Sequence, residues 1–231
     1  MYYYMDGTYI LVIIGALLTI IASARVKSTY SKYARVRSGS GMTGAEVAQK
    51  ILRGAGIYDV SVQRIAGKLT DHYDAKGKAL RLSEAVYDSD SVAAIGVAAH
   101  ECGHAIQHNT EYQPLKLRSA LVPAANIGSK IGIPIIILGL ILGSSQFLIT
   151  IGIWVFSIAV LFQVVTLPVE FNASRRALVI LGDTRILSET ELKYSEKVLR
   201  AAALTYVAAA AASILQLLRL VMLFGGGRRR D

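Results

Sequence analysis

The sequence predicts a mainly α-helical membrane protein in which three or four transmembrane helices flank one small polar domain that holds a β-hairpin. Three observations lead there. Hydrophobic residues make up 53% of the 231-residue chain, the mean hydropathy is positive, and long uncharged runs surround a single sizeable polar block.

The first apolar run, residues 8–24, is about long enough to cross a bilayer with snorkelling ends. Asp6 precedes it without any Lys or Arg, and a basic cluster follows. That polarity is wrong for a secretory signal, so a retained anchor is expected. Two further runs, residues 131–142 with a lead-in from Leu121 and residues 147–167, are separated only by Gly143, Ser144, Ser145 and Gln146. They read as a transmembrane hairpin over 121–167. Pro123, Asn126, Lys130 and Pro134 in the lead-in predict an irregular or partly shielded segment. The last run, residues 201–224, is rich in Ala and Leu but contains Arg219 and leads into Arg228, Arg229 and Arg230. It reads either as a fourth span or as a helix lying along the membrane surface.

The formal charge of +9 follows this layout. Arg25, Lys27, Lys32, Arg35 and Arg37 come just after the first run, and Arg175 and Arg176 come soon after the third. The positive-inside rule places both groups in the cytoplasm and predicts a multi-pass protein of the cell membrane. The arginines at 228–230 conflict with a spanning fourth helix. Because the basic residues flank apolar runs and no stacking aromatics accompany them, no nucleic-acid partner is expected. Cys102, the single cysteine, excludes an intramolecular disulfide and suits a reducing compartment.

Residues 38–113 form the polar domain. Thr43 and Glu46 make a capping box for a helix to about Arg53, which Gly54 and Gly56 end. An extended stretch follows at 59–65. Residues 68–73 and 79–82 flank a turn signal, Asp74 to Gly77, and are expected to pair as a hairpin. An exposed edge at residues 79–83, with Leu80 and Leu82, would let a peptide substrate add a strand.

The next helix carries the chemistry. Ser89, Asp90 or Ser91 would cap it, and Val92, Ile95 and Ala99 give it an apolar face. His100, Glu101 and His104 form a His-Glu-x-x-His motif. Histidines four apart project from one face of a helix, so both imidazoles can reach one metal ion. Glu101 then stands beside the open position, where it can take a proton from water and return it to a leaving amine. His108 continues the spacing but lies roughly 12 Å along the axis from His100, too far to share the ion.

A catalytic zinc site needs a third protein ligand. Glu170 is the candidate. It follows the third apolar run, and two crossings return it to the side of His104. Ser174, one turn on, is positioned to hydrogen-bond a ligand. His72, and more weakly Tyr206, are candidates to stabilise an oxyanion.

At these residues the chain resembles the neutral zinc metallopeptidases of the YugP type, a family of bacterial membrane proteins. The likeness is nearly full-length and rests on Leu69 to Tyr73, Leu82 to Tyr87, residues 98–107, Leu167 to Arg176 and Ala203 to Ala208. It is more distantly similar to HtpX-type membrane metalloproteases, which carry a ligand Glu in a Glu-x-x-Ala-Asp motif. Ser174 occupies the Asp position here. The resemblance implies a helical, zincin-like core of gluzincin type, with one zinc per chain on His100, His104 and Glu170 and with Glu101 as general base. It also implies protein or peptide substrates, membrane proteins among them. The rival readings are a non-catalytic membrane adaptor that keeps a zinc helix, and a transporter. A structural zinc site ordinarily has four ligands, often cysteines, and the charges within apolar runs are only Lys130 and Arg219.

Overall fold

A computed structural model of the chain describes residues 6–225. The elements run α1 (Tyr9–Tyr33), α2 (Gly44–Gly54), β1 (Ser61–Ile65), β2 (His72–Asp74), β3 (Ala79–Ser83), α3 (Glu84–Tyr87), α4 (Val92–Asn109), α5 (Gln113–Ile141), α6 (Gln146–Asp183) and α7 (Glu189–Phe224). They form two compact units, one from residues 1–22, 116–167 and 205–231, the other from 23–115 and 168–204.

The first unit is helical. α1, α5, α6 and α7 are each long and apolar enough to cross a membrane. α5 meets α6 through a stripe of small and aliphatic residues, Ala125, Gly128, Gly132, Ile136 and Gly139. A Cβ on Gly128 would come within 2.5 Å of the Val155 carbonyl oxygen, so the two backbones lie in near contact. Small residues allow this approach, the usual device where no hydrophobic drive separates helix from lipid. α1 and α7 run antiparallel. Gly15 abuts Ala212, and Arg219 lies over the Tyr9 ring at 4.1 Å. The Gln146 side chain donates to the Phe224 carbonyl at 3.0 Å, so the end of α7 reaches the start of α6. α7 therefore packs lengthwise against α1 and contacts the start of α6. The arginines at 228–230 fall outside the described residues. Of the two readings of the lead-in, irregular or partly shielded, the irregular one does not hold: α5 is one continuous helix with Pro123 and Pro134 inside it, and one of its faces is covered by α6.

The second unit holds α2, the sheet, α3 and α4, together with the second half of α6 and the first turns of α7. Its core joins Val47, Leu52, Leu80, Leu82, Val86, Ile95, Leu181 and Val198. α2 begins at a complete Thr43–Glu46 capping box. Ser91 caps α4 and accepts from the Ala94 N–H at 3.2 Å. α4 buries Val92, Ile95, Ala98, Ala99, Cys102 and Ala105 in the core.

The sheet corrects one expectation. β2 and β3 form the predicted antiparallel hairpin, but β1 also pairs with β3, in parallel, giving the order β1-β3-β2. β3 is thus the central strand and not an exposed edge. Leu80 and Leu82 are fully buried. Both backbone edges of β3 are occupied, and where β2 ends Asp71 continues the pairing by accepting the Ser83 N–H at 2.7 Å. Burial pushes the Asp71 carboxyl above the usual range, against the lowering effect of the Ser83 bonds.

Candidate metal centre

His100 and His104 stand one turn apart on α4, with rings edge to face at a centroid distance of 4.8 Å. α6 brings Glu170 to both. Its Oε2 lies 3.3 Å from His100 Nε2 and 3.5 Å from His104 Nε2. The three ligand atoms all fall within 4.8 Å of one another. Donors at 2.0–2.1 Å around a tetrahedral zinc are about 3.3–3.4 Å apart, so the carboxylate-to-imidazole separations already match two edges of that tetrahedron. Two neutral nitrogens and one carboxylate oxygen suit zinc, and they leave one tetrahedral position for water. The residues present therefore fit the ion.

Glycine makes the approach possible. A Cβ on Gly103 would stand 2.6 Å from the Ala173 carbonyl oxygen, so the helix bearing the histidines touches the backbone of α6 one turn from Glu170. The glycine inside the His-Glu-x-x-His motif is a packing requirement of this site.

A hydrogen-bond chain assigns the proton of His104. Arg176 Nε, which can only donate, lies 2.8 Å from Asn172 Oδ1, so that atom is an acceptor. Gln107 Nε2 donates to it at 3.0 Å and to the Val169 carbonyl at 2.8 Å. Gln107 Oε1 is left to accept from His104 Nδ1 at 3.0 Å, which directs the Nε2 lone pair of that ring toward Glu170. His100 Nδ1 is 3.1 Å from Ser174 Oγ. Such outer partners fix ring orientation and tautomer. Burial disfavours the protonated His104 ring, but the hydrogen bond that this form would donate to Glu170 and the charges of Glu101 and Glu170 outweigh burial and hold its pKa above the ordinary value. Gln107, fully buried, and Asn172 are absent from the sequence reading. The signal available was a glutamine three residues after a motif histidine, on the same helix face.

Glu101 is buried on α4, and its charge acts on His104 and on Cys102. Cys102 is fully buried, and burial pushes its thiol well above the usual range. It is an inert core residue. His108 Nδ1 meets the Tyr73 hydroxyl at 2.9 Å, away from Glu170. His72 is exposed, with Nδ1 2.8 Å from the Thr70 carbonyl. Tyr206 lies on α7 in the other unit. Leu80 and Leu82, expected to line a substrate edge, belong to the core instead.

Residues 8–225 match the family described as "Putative neutral zinc metallopeptidase". The "Putative membrane protease YugP" of Bacillus subtilis (strain 168) is 49% identical over 221 residues, covering 95% of this chain and 98% of that protein. No solved structure gives a significant match. A full-length family match, a close relative of nearly equal length and a donor set suited to zinc converge, and the chain belongs to this family of zinc metallopeptidases.

Proposed function

We propose that the protein is a membrane-embedded, zinc-dependent endopeptidase with a gluzincin-type site. The observation that carries the reading is the meeting of His100, His104 and Glu170, whose ligand atoms lie within 4.8 Å of one another and whose two carboxylate-to-imidazole separations, 3.3 and 3.5 Å, match edges of a zinc tetrahedron. These residues would hold one zinc ion per chain. Bound there, zinc polarises a scissile carbonyl and lowers the pKa of water. Glu101, next to His100, takes the proton of the attacking water and delivers it to the leaving amine. Ser174 and Gln107 hold the two imidazoles with their Nε2 atoms toward Glu170. Three protein ligands leave a position free for reaction, which separates this reading from a closed structural site in an adaptor.

The substrate class is a protein or peptide, membrane proteins included. The basic residues at 25–37 and 175–176 support a multi-pass protein of the cytoplasmic membrane whose site faces the cytoplasm. The experiment is elemental analysis of detergent-purified protein beside three variants. One zinc per chain, lost in His104→Ala and Glu170→Ala but kept in Glu101→Gln with loss of peptidase activity, is the expected result. Undiminished zinc in Glu170→Ala would remove Glu170 from the ligand set.

A further inference from the structure

A polar group that a membrane helix turns toward hydrocarbon costs free energy unless something covers it. α5 turns out several. Its stripe Ala125, Gly128, Gly132, Ile136 and Gly139 is buried, and glycines 128, 132 and 139 abut α6. The opposite face exposes Asn126 and Lys130. Pro123 and Pro134 lie inside the same helix. A proline brings no N–H to the carbonyl four residues earlier, so the carbonyls of Ser119 and Lys130 lose their ordinary helical donor. Positions 119, 123, 126 and 130 recur at helical spacing and form one line.

Depth sharpens the problem. Lys130 is roughly 16 Å along the axis from Ile141, where α5 ends. Half of a hydrocarbon core is about 15 Å, and a snorkelling lysine reaches only about 6 Å, so the ammonium is stranded near the midplane. Among the described residues Lys130 makes no ion pair or hydrogen bond. Val122, Ile127 and Ile131 are exposed beside the line, so the face is a polar stripe with apolar borders, the form that suits an opposing helix.

We infer that this face of α5 docks a transmembrane helix of another protein that carries a carboxylate near its midpoint. The carboxylate neutralises Lys130. Hydroxyl or amide groups on the same helix serve Asn126 and the two carbonyls. A second copy of this chain does not supply the charge, because residues 8–22, 116–167 and 205–225 contain no Asp or Glu. Two copies would also oppose lysine to lysine. Headgroup phosphates lie beyond the reach of the side chain.

The test uses the full chain, fluorescently labelled, in phosphatidylcholine vesicles with a synthetic polyleucine transmembrane helix bearing Asp at its midpoint. Energy transfer is expected to show binding about ten-fold tighter than for the all-Leu helix. Lys130→Leu should erase that preference, and Lys130→Glu should move it to a helix bearing Lys, which also shows that the variant is folded. Equal binding of the Asp and Leu helices, or a preference that survives Lys130→Leu, overturns the inference. So does self-association of the labelled chain, or enrichment of labelled phosphatidylglycerol around it, that Lys130→Leu abolishes.

Discussion

Gln107 receives the Nδ1 proton of His104 at 3.0 Å while its own amide donates to the Val169 carbonyl at 2.8 Å. One buried side chain thus orients a proposed ligand on α4 and ties it to the residue preceding the proposed ligand on α6.

Replacing Gln107 by Leu removes all three of its side-chain bonds and strands a buried imidazole N–H. Zinc affinity, measured by competition with a chromophoric chelator, is expected to fall about 10- to 100-fold. Asn172→Ala should cost less, since the Val169 bond remains. Unchanged affinity in the Leu variant would reduce Gln107 to core filling.

Gly103→Ala tests the helix contact. The new methyl meets the backbone carbonyl of Ala173 at 2.6 Å, and a backbone atom cannot rotate away. A loss of about 1–3 kcal/mol is expected from overpacking, partly offset by the better helix propensity of alanine, worth about 1 kcal/mol. Zinc affinity should fall as well, because α6 moves with Glu170. Chelator competition and thermal melting read the two effects separately.

Leu82→Ala should lower stability by about 2–5 kcal/mol, the usual range for a buried leucine. Normal melting with a raised KM would instead return Leu82 to the substrate surface.

Asp71 gives a pH dependence of definite sign. Burial raises its folded pKa above the unfolded value, so between the two pKa values the folded state binds more protons. Stability therefore falls as pH rises through that window. Asp71→Asn keeps an acceptor for the Ser83 N–H and removes the buried charge, so the fall should flatten in melting curves recorded across acidic to neutral pH. A slope unchanged by the substitution would mean that Asp71 does not contribute it.

The parts legible in the sequence were those with local causes. Ser91, Val92 and the motif histidines lie within a few turns of one another, so cap, apolar face and ligand spacing could all be read together. Glu170 was reachable because a carboxylate just beyond an apolar run needs a reason, and a hairpin of two apolar runs can bring the chain back to the motif helix. For Gln107 the spacing from His104 was a local signal, but its burial was not legible, because its partners Val169 and Asn172 are more than sixty positions away and a polar residue on a helix looks solvated until those partners are known. β3 misled for a similar reason. The turn at Asp74 to Gly77 announces the pairing of β2 with β3, whereas the parallel pairing of β1 with β3 has no local signal. In α5, tertiary packing of the glycine stripe kept regular a helix that its two prolines would have interrupted.

The division of labour along α4 separates two kinds of fragility. Ile95, Ala98, Ala99 and Cys102 are held by apolar neighbours, while the two imidazoles are oriented by polar side chains, Ser174 and Gln107. A change among the apolar residues therefore loosens the whole helix, whereas a change in an outer polar partner turns one ring and leaves the core packed. The same helix can thus lose its aim without losing its shape.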